Sequence, residues 1–357
     1  MKLGLGLYSH LITPENLKFA KQVGCTHIVV HMVNYFEGMT NLPGTDGFKK
    51  NWGTTPNEGK LWTVEELLEV RRKVEAEGLV LEAIENFDPA HWYDVLLDGP
   101  KKQQQLEDLK TIIRRVGEAG IPVFGYNFSL AGVWGHIRGP FGRGGAMSVG
   151  FNIEKGPEQT PIPNGQIWNM TYNTDAPEGF VQPCSTEELW DRLSTFLKEI
   201  VPVAEEAGVR LAAHPDDPPM TEIRGMPRLV NQPHLYQKLL DIVPSNSNAL
   251  EFCMGSIQEM STGNIYEAIE QYGNQDKIAY VHFRNVKGKV PNYQEVFVDE
   301  GDIDMIKALR VLKQTGFDGL LMPDHTPDVS CDAPWHAGMA YALGYMKAAI
   351  DIVNKED

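Results

Sequence analysis

The stretch LGLGLYSH at residues 3–10 decides between two folds. An apolar run followed by a helix opens both a doubly wound open sheet and a (β/α)8 barrel. A dinucleotide-binding sheet carries G-x-G-x-x-G in that first turn, so that a phosphate meets the helix N-terminus. Here Gly4 and Gly6 lie inside the apolar run, Ser9 stands at the third glycine position, and the next helix opens only at Thr13. The fingerprint is absent, and the run reads as the first stave of a barrel.

Further along the chain, short apolar runs alternate with amphipathic segments. The helix after the first strand, TPENLKFAKQVG, has Thr13 as N-cap, Pro14 at its first position and Gly24 as its stop. HIVVHM (27–32) is followed by TVEELLEVRRKVEAEG, where Thr63 and Glu66 form a capping box, and LVLEAIE (79–85) by QLEDLKTIIRRVGEAG. PVFGYNF (122–128) precedes the longest irregular stretch, after which Ser185 and Glu188 cap a helix that Pro202 is expected to kink. VRLAAH (209–214), NALEFCM (248–254), KIAYVHFRN (277–285) and DGLLMPDH (318–325) complete eight strands, with helices expected at 233–242, 263–271, 303–315 and 336–353. Eight strand–helix units whose strands are apolar throughout predict a single (β/α)8 TIM-barrel domain over 1–357. Two long connections, 33–62 and 129–184, both follow strands and read as lids or oligomer contacts on the C-terminal face. No internal repeat or low-complexity segment interrupts this pattern.

The bulk numbers exclude several function classes. The formal net charge is −16 and no run of lysine or arginine follows a phosphate backbone, which argues against nucleic-acid binding. An anionic substrate would then need local positive charge from arginine or a metal. The start MKLGLGLYSH has no basic region ahead of a long apolar stretch, so no signal peptide or membrane span is expected and the cytoplasm is the default. Cys25, Cys184, Cys253 and Cys331 are widely spread without a CxxC, as reduced thiols would be.

In a barrel, the C-terminal ends of the strands share one basin. The last four strands end in His214, Cys253, His282 and Asp324. Two imidazoles, a thiolate and a carboxylate suit a divalent transition metal, Mn²⁺, Fe²⁺, Co²⁺ or Zn²⁺. Each alone has a plainer reading, as a core histidine, a small hydrophobe or a helix cap. Their occurrence on four consecutive strand ends is what makes them a set. Glu251, two before Cys253, and Glu85 compete as ligands, and a dicarboxylate site built on them would resemble a sugar isomerase. His325 next to Asp324 is placed to act as general acid or base. Arg284, two after His282, suits a substrate carboxylate, and Arg224 and Arg228 lie on a loop that could close on an anion. Asn127 offers an amide to a sugar hydroxyl, and Tyr8 and His31 end the first two strands.

YNF (126–128), HPDDPP (214–219), GMPRLV (225–230), CMGS (253–256), VHFRNVK (281–287) and GFDGLLMPDH (316–325), in that order, resemble the mannonate dehydratase family of xylose-isomerase-like barrels. The likeness is strong over about 200–325, weaker over 60–130, and poor in the first strand and the inserts. The resemblance implies a lyase that takes water from D-mannonate to give 2-keto-3-deoxy-D-gluconate with Mn²⁺ or a similar ion. It carries the metal ligands onto His214, Cys253, His282 and Asp324 and the catalytic histidine onto His325. The partners it implies are a small sugar acid and further copies of the chain in a homo-oligomer. The family's YDRALG-like stretch departs here to HAGMAYALGYMKA (336–348), with Met339 at the tyrosine position and Tyr341 at the arginine position. Tyr341 or His336 is therefore expected to supply the missing chemistry. An isomerase or epimerase of the same superfamily, and a barrel that binds sugar without turnover, are the alternatives.

Overall fold

A computed structural model of the chain describes residues 1–35, 53–55 and 59–356. The barrel strands are β1 (Lys2–Tyr8), β2 (His27–His31), β3 (Val80–Glu85), β4 (Val123–Tyr126), β5 (Arg210–Ala213), β6 (Asn248–Cys253), β7 (Ile278–His282) and β8 (Leu320–Met322). All pair in parallel with their neighbours in chain order, and β8 closes onto β1. This is the (β/α)8 barrel expected from the apolar runs.

Local chemistry sets the helix limits. Thr13 accepts a hydrogen bond from Asn16 N ahead of α1 (Pro14–Gln22). The two expected capping boxes open α2 (Val64–Ala76) and α5 (Thr186–Ala207), and Gly208 ends α5 at a φ of +67° that a side chain would resist. Pro202 lies inside α5, which runs on through it rather than stopping. Two helices escaped the reading from periodicity: α3 (Pro89–Leu97), ahead of α4 (Lys102–Glu118), and the short α7 (Met254–Glu259). Four more, α6 (Leu235–Ile242), α8 (Ile265–Gly273), α9 (Met305–Gln314) and α10 (Pro334–Lys355), match expectation. None of the described helices is long and apolar enough to cross a membrane.

Inside the barrel, Ala83, Ala212, Ala249 and Ala279 pack with Val29, Val123 and the buried Tyr280. The larger side chains between strands and helices form the main core. The alanines keep the barrel interior open enough to hold tyrosine and glutamate side chains rather than a closed aliphatic plug.

Two expectations change at the C-terminal face. The seventh strand stops at His282, not Asn285, and Asn285–Lys289 turns back on Asn292–Val296 as a hairpin outside the barrel. The insert at 129–184 is not without structure, because His136–Gly142 and Ala146–Asn152 pair with that hairpin into a four-stranded antiparallel sheet. That sheet brings His136, Tyr293 and Glu295 over the strand ends. The other insert, 33–62, falls largely outside the described residues.

Candidate active site

Parallel register places the donors. Cys253 lies opposite His282 across β6 and β7, and His282 opposite Met322 of β8, with Asp324 two residues beyond. His214, Cys253 and His282 each bring a ligand atom to within 4.8 Å of the others. Asp324 stands 3.6 Å from His282 Nδ1 through its Oδ2. The four strand-end residues thus converge at one floor.

The chemistry of this donor set fits a divalent ion. His214 Nδ1 lies 2.7 Å from Pro215 O, which can only accept, so Nδ1 carries the proton and Nε2 is left as a ligand. Both ring nitrogens of His282 are buried, with Nδ1 toward Asp324 and Nε2 toward Glu251 and Glu85. Burial works to raise the Cys253 thiol, but Arg284 and the imidazoles of His214 and His282 outweigh it and hold the thiol well below its usual range. Burial likewise opposes charge on His214, yet Cys253 and Glu251 push it up to about 9. A thiolate and a carboxylate balanced by protonated imidazoles mark a place where a 2+ ion would take over the positive charge.

Cys253 is held from behind. It caps α7, so its sulfur accepts from Ser256 Oγ at 3.1 Å and lies 3.5 Å from Ser256 N. Arg284 Nη2 donates to the same sulfur at 3.3 Å and to Asp217 Oδ2 at 2.7 Å. Its Nη1 donates to Glu259 at 2.7 Å and Glu295 at 2.9 Å, and Nε lies 3.2 Å from Asp324. Gly255 leaves room for this, since a Cβ there would meet the guanidinium at 2.7 Å. Arg284 was expected to bind a substrate carboxylate. At 2% exposure, with all its nitrogens facing four carboxylates and the sulfur, it is part of the wall that holds the donors.

Above the floor lies a cavity of about 420 Å³ lined in part by Tyr8, His31, Glu85, Asn127, His214 and His325. The His325 side chain is 46% exposed. Its Nδ1 faces Glu295 Oε2 at 3.0 Å and its Nε2 faces Asp324 Oδ1 at 3.3 Å. Burial lowers its basicity, but Asp324 and Glu295 prevail and push it up to about 9. Glu295 was missed because it lies on the hairpin strand. The alternation Tyr293, Glu295, Phe297 was the available signal.

Asn127 reaches the cavity but already donates to Pro215 O at 3.2 Å and accepts from Trp168 Nε1 at 3.2 Å. The His31 ring lies tilted against Tyr8, 4.9 Å between centroids, and 3.7 Å from Glu85. Three expectations are corrected. Arg228 is sealed in the HPDDPP loop, where it donates to Ser129 Oγ and Gly132 O at 2.7 Å and pairs with Asp216 at 3.2 Å. Arg224 is buried with its guanidinium over Trp134. Tyr341, 40% exposed, accepts from Arg143 at 3.3 Å and does not line the cavity, whereas Met339 does. His336 is engaged with Asn16 at 3.1 Å. The arginine that lines the cavity is Arg138 of the inserted sheet, ion-paired with Asp328.

Below the donors, Glu85 and Glu251 face His282 Nε2 at 3.4 and 3.2 Å. Burial and the neighbouring Glu85 raise Glu251, while His31 and His282 overcome burial at Glu85 and keep it low. Glu85 and Glu251 are the residues of the expected isomerase-like alternative, and with His282 they too come within 4.8 Å of one another.

A family model for D-mannonate dehydratase (UxuA) matches residues 31–146 and 178–355. The mannonate dehydratase of Streptococcus pneumoniae (strain 70585) is 32% identical over 303 residues, covering 81% of each chain. Mannonate dehydratase 2 of Halalkalibacterium halodurans is 31% identical over 278 residues, covering 75% of this chain and 79% of its own. The crystal structure of mannonate dehydratase from Streptococcus suis serotype 2 superposes with a TM-score of 0.77 at 26% identity, over 99% of this chain and 95% of that one. A xylose isomerase domain protein from Planctomyces limnophilus shares the fold at a TM-score of 0.60 and 14% identity, with 99% of each chain covered.

Proposed function

The chain belongs to the D-mannonate dehydratase family of sugar-acid hydro-lyases, and we propose that it takes water from D-mannonate to give 2-keto-3-deoxy-D-gluconate with a divalent ion, Mn²⁺, at its strand ends. The observation that supports this most is the convergence of His214, Cys253 and His282, with Asp324 beside His282, under a cavity that exposes His325. The residues proposed to hold the ion are these four. When bound, it supplies Lewis-acid stabilisation of the negative charge that develops beside the substrate carboxylate.

Two protons must move. The proton on C2 leaves to a base, and the C3 hydroxyl gains a proton to depart as water. We assign one of these transfers to His325, whose ring reaches the cavity while Glu295 fixes its Nδ1 side and leaves Nε2 toward the floor. Fixing one nitrogen selects the tautomer and orients the other. His31 and Asn127 are proposed to contact the sugar hydroxyls, being polar groups that the ends of the second and fourth strands turn toward the cavity. Arg284 acts through Cys253 and Asp324, and Asp217 through Arg284, without meeting the substrate.

The departure at Met339 bears on the substrate. A thioether stands at the cavity wall where the family carries a tyrosine, so the hydroxyl of that tyrosine has no counterpart at this position. The test is a panel of hexonates differing in stereochemistry at C2 and C3, incubated with the Mn²⁺-loaded protein and assayed for 2-keto-3-deoxy acid. Turnover of D-mannonate above its C2 epimer is expected. Dehydration of another hexonate alone would overturn the choice of substrate.

A further inference from the structure

The ring of His282 separates two donor groups that cannot both use it in the same way. On its Nδ1 side lies Asp324 at 3.6 Å, which shares the Arg284 guanidinium with Cys253, and with Cys253 and His214 the ring forms one group of ligand atoms. On its Nε2 side lie Glu251 Oε1 at 3.2 Å and Glu85 Oε2 at 3.4 Å, a second group within 4.8 Å of the same ring. A neutral imidazole has one N–H and one lone pair. Whichever side receives the lone pair can ligate an ion, and the other side receives a hydrogen bond.

We propose that Glu85 and Glu251 are positioning residues that accept the Nε2–H of His282, fix Nδ1 as its ligand atom, and so direct the ion to the thiolate side rather than into the dicarboxylate pocket. Three observations carry this. The outer side presents ligand atoms, because His214 is held through Nδ1–H on Pro215 O, which leaves Nε2 as its ligand nitrogen, and the Cys253 sulfur, which accepts from Ser256 and Arg284, also faces the imidazoles of His214 and His282. On the inner side, Glu251 Oε1 and Glu85 Oε2 are buried and face Nε2 at 3.2 and 3.4 Å, so an Nε2–H is within reach of both, the Tyr280 hydroxyl being the other donor beside them. Parallel register keeps the two levels apart. Cys253 pairs with His282, whereas Glu251 pairs with Tyr280 two residues deeper in the barrel. A carboxylate behind a ligating imidazole also fixes the ring plane and strengthens the ligand, which a neutral neighbour does less well.

The inference rests on the metal reading above, and its test separates the two. The full chain, labelled with ¹⁵N-histidine and loaded with Zn²⁺, is examined by long-range ¹H–¹⁵N correlation, with the His282 signals assigned by their loss in His282→Asn. The expected spectrum has a protonated Nε2 and a metal-bound Nδ1. A protonated Nδ1 with metal-bound Nε2 would overturn the inference and put the ion between the carboxylates. Metal on both nitrogens would overturn it too. A chain that takes up no Zn²⁺ would sink the metal reading itself.

A second arm uses affinity, measured by competition with a coloured chelator. Glu251→Leu should weaken Zn²⁺ binding about tenfold or more, while Glu251→Gln, whose amide oxygen still accepts the Nε2–H, should stay within about threefold of the parent. Equal losses in the two variants would show that charge or packing, not the hydrogen bond, accounts for the effect.

Discussion

Replacing Arg284 by methionine removes the guanidinium and keeps most of the buried stem. In the parent, the guanidinium contacts Glu259 and Asp217 at 2.7 Å, Glu295 at 2.9 Å, Asp324 at 3.2 Å and the Cys253 sulfur at 3.3 Å. Burial alone would raise Asp217, Glu295, Asp324 and Cys253, and Arg284 is among the charges that hold all four below their usual ranges. Breaking a buried ion pair by removing one partner costs about 3–5 kcal/mol. At 1.36 kcal/mol per unit, that equals roughly two to four pKa units shared among these groups. The assay is urea unfolding of the metal-free protein at several pH values. A carboxylate depressed in the folded state contributes stability that is present above its unfolded value, about 4, and is lost as pH falls through the folded one. The carboxylates' share of the gap between parent and Arg284→Met should therefore be full at pH 7 and narrow below about pH 4, while the thiol's share is full only above about pH 8.5. A variant with parental stability whose only defect is a raised KM would refute the placement of Arg284 in the wall.

Three shorter expectations follow from the same geometry. Gly255→Ala brings a Cβ to 2.7 Å from the Arg284 guanidinium and should destabilise the protein by about 1–3 kcal/mol, measured by the same unfolding assay. Cys253→Ser keeps a hydroxyl but loses the thiolate, and should lower metal affinity by more than about tenfold, the lower end for losing even an outer-shell partner; metal content by mass spectrometry after dialysis checks it. His325→Asn should lower dehydration about 10²–10⁴-fold while bound metal per chain stays unchanged, since the imidazole is assigned to proton transfer and not to the ligand set.

The barrel was legible because each of its strands is covered on both faces, which leaves continuous apolar runs, and because caps such as Thr63 and Ser185 act through neighbours three residues away. The donor set was legible for a related reason: strand ends converge by topology, so His214, Cys253, His282 and Asp324 needed only the strand count. Arg284 was not legible. Its surroundings come from Asp217, Glu259 and Glu295, up to 67 residues distant, and the break after His282 that turns it inward lies within an unbroken apolar pattern.

Tyr341 failed for a simpler reason. Two residues on a helix rotate a side chain about 200°, so with Met339 facing the cavity Tyr341 points away from it. The four-stranded sheet over the site escaped notice because its strands are short, rich in glycine and joined as two hairpins only by the pairing of Asn292–Gln294 with Gly150–Asn152, 140–144 residues apart. Only the long-range pairing assembles the two hairpins over the site, and it is this sheet that delivers Glu295 to His325.

The central claim is that one ion at the four strand ends makes this barrel a dehydratase. Titrating the metal-free protein with Mn²⁺ while following formation of 2-keto-3-deoxy-D-gluconate from D-mannonate tests it most directly. Product formation should rise linearly with added Mn²⁺ and level off at one ion per chain. Turnover that persists in excess chelator, or no product with one ion bound, would contradict it.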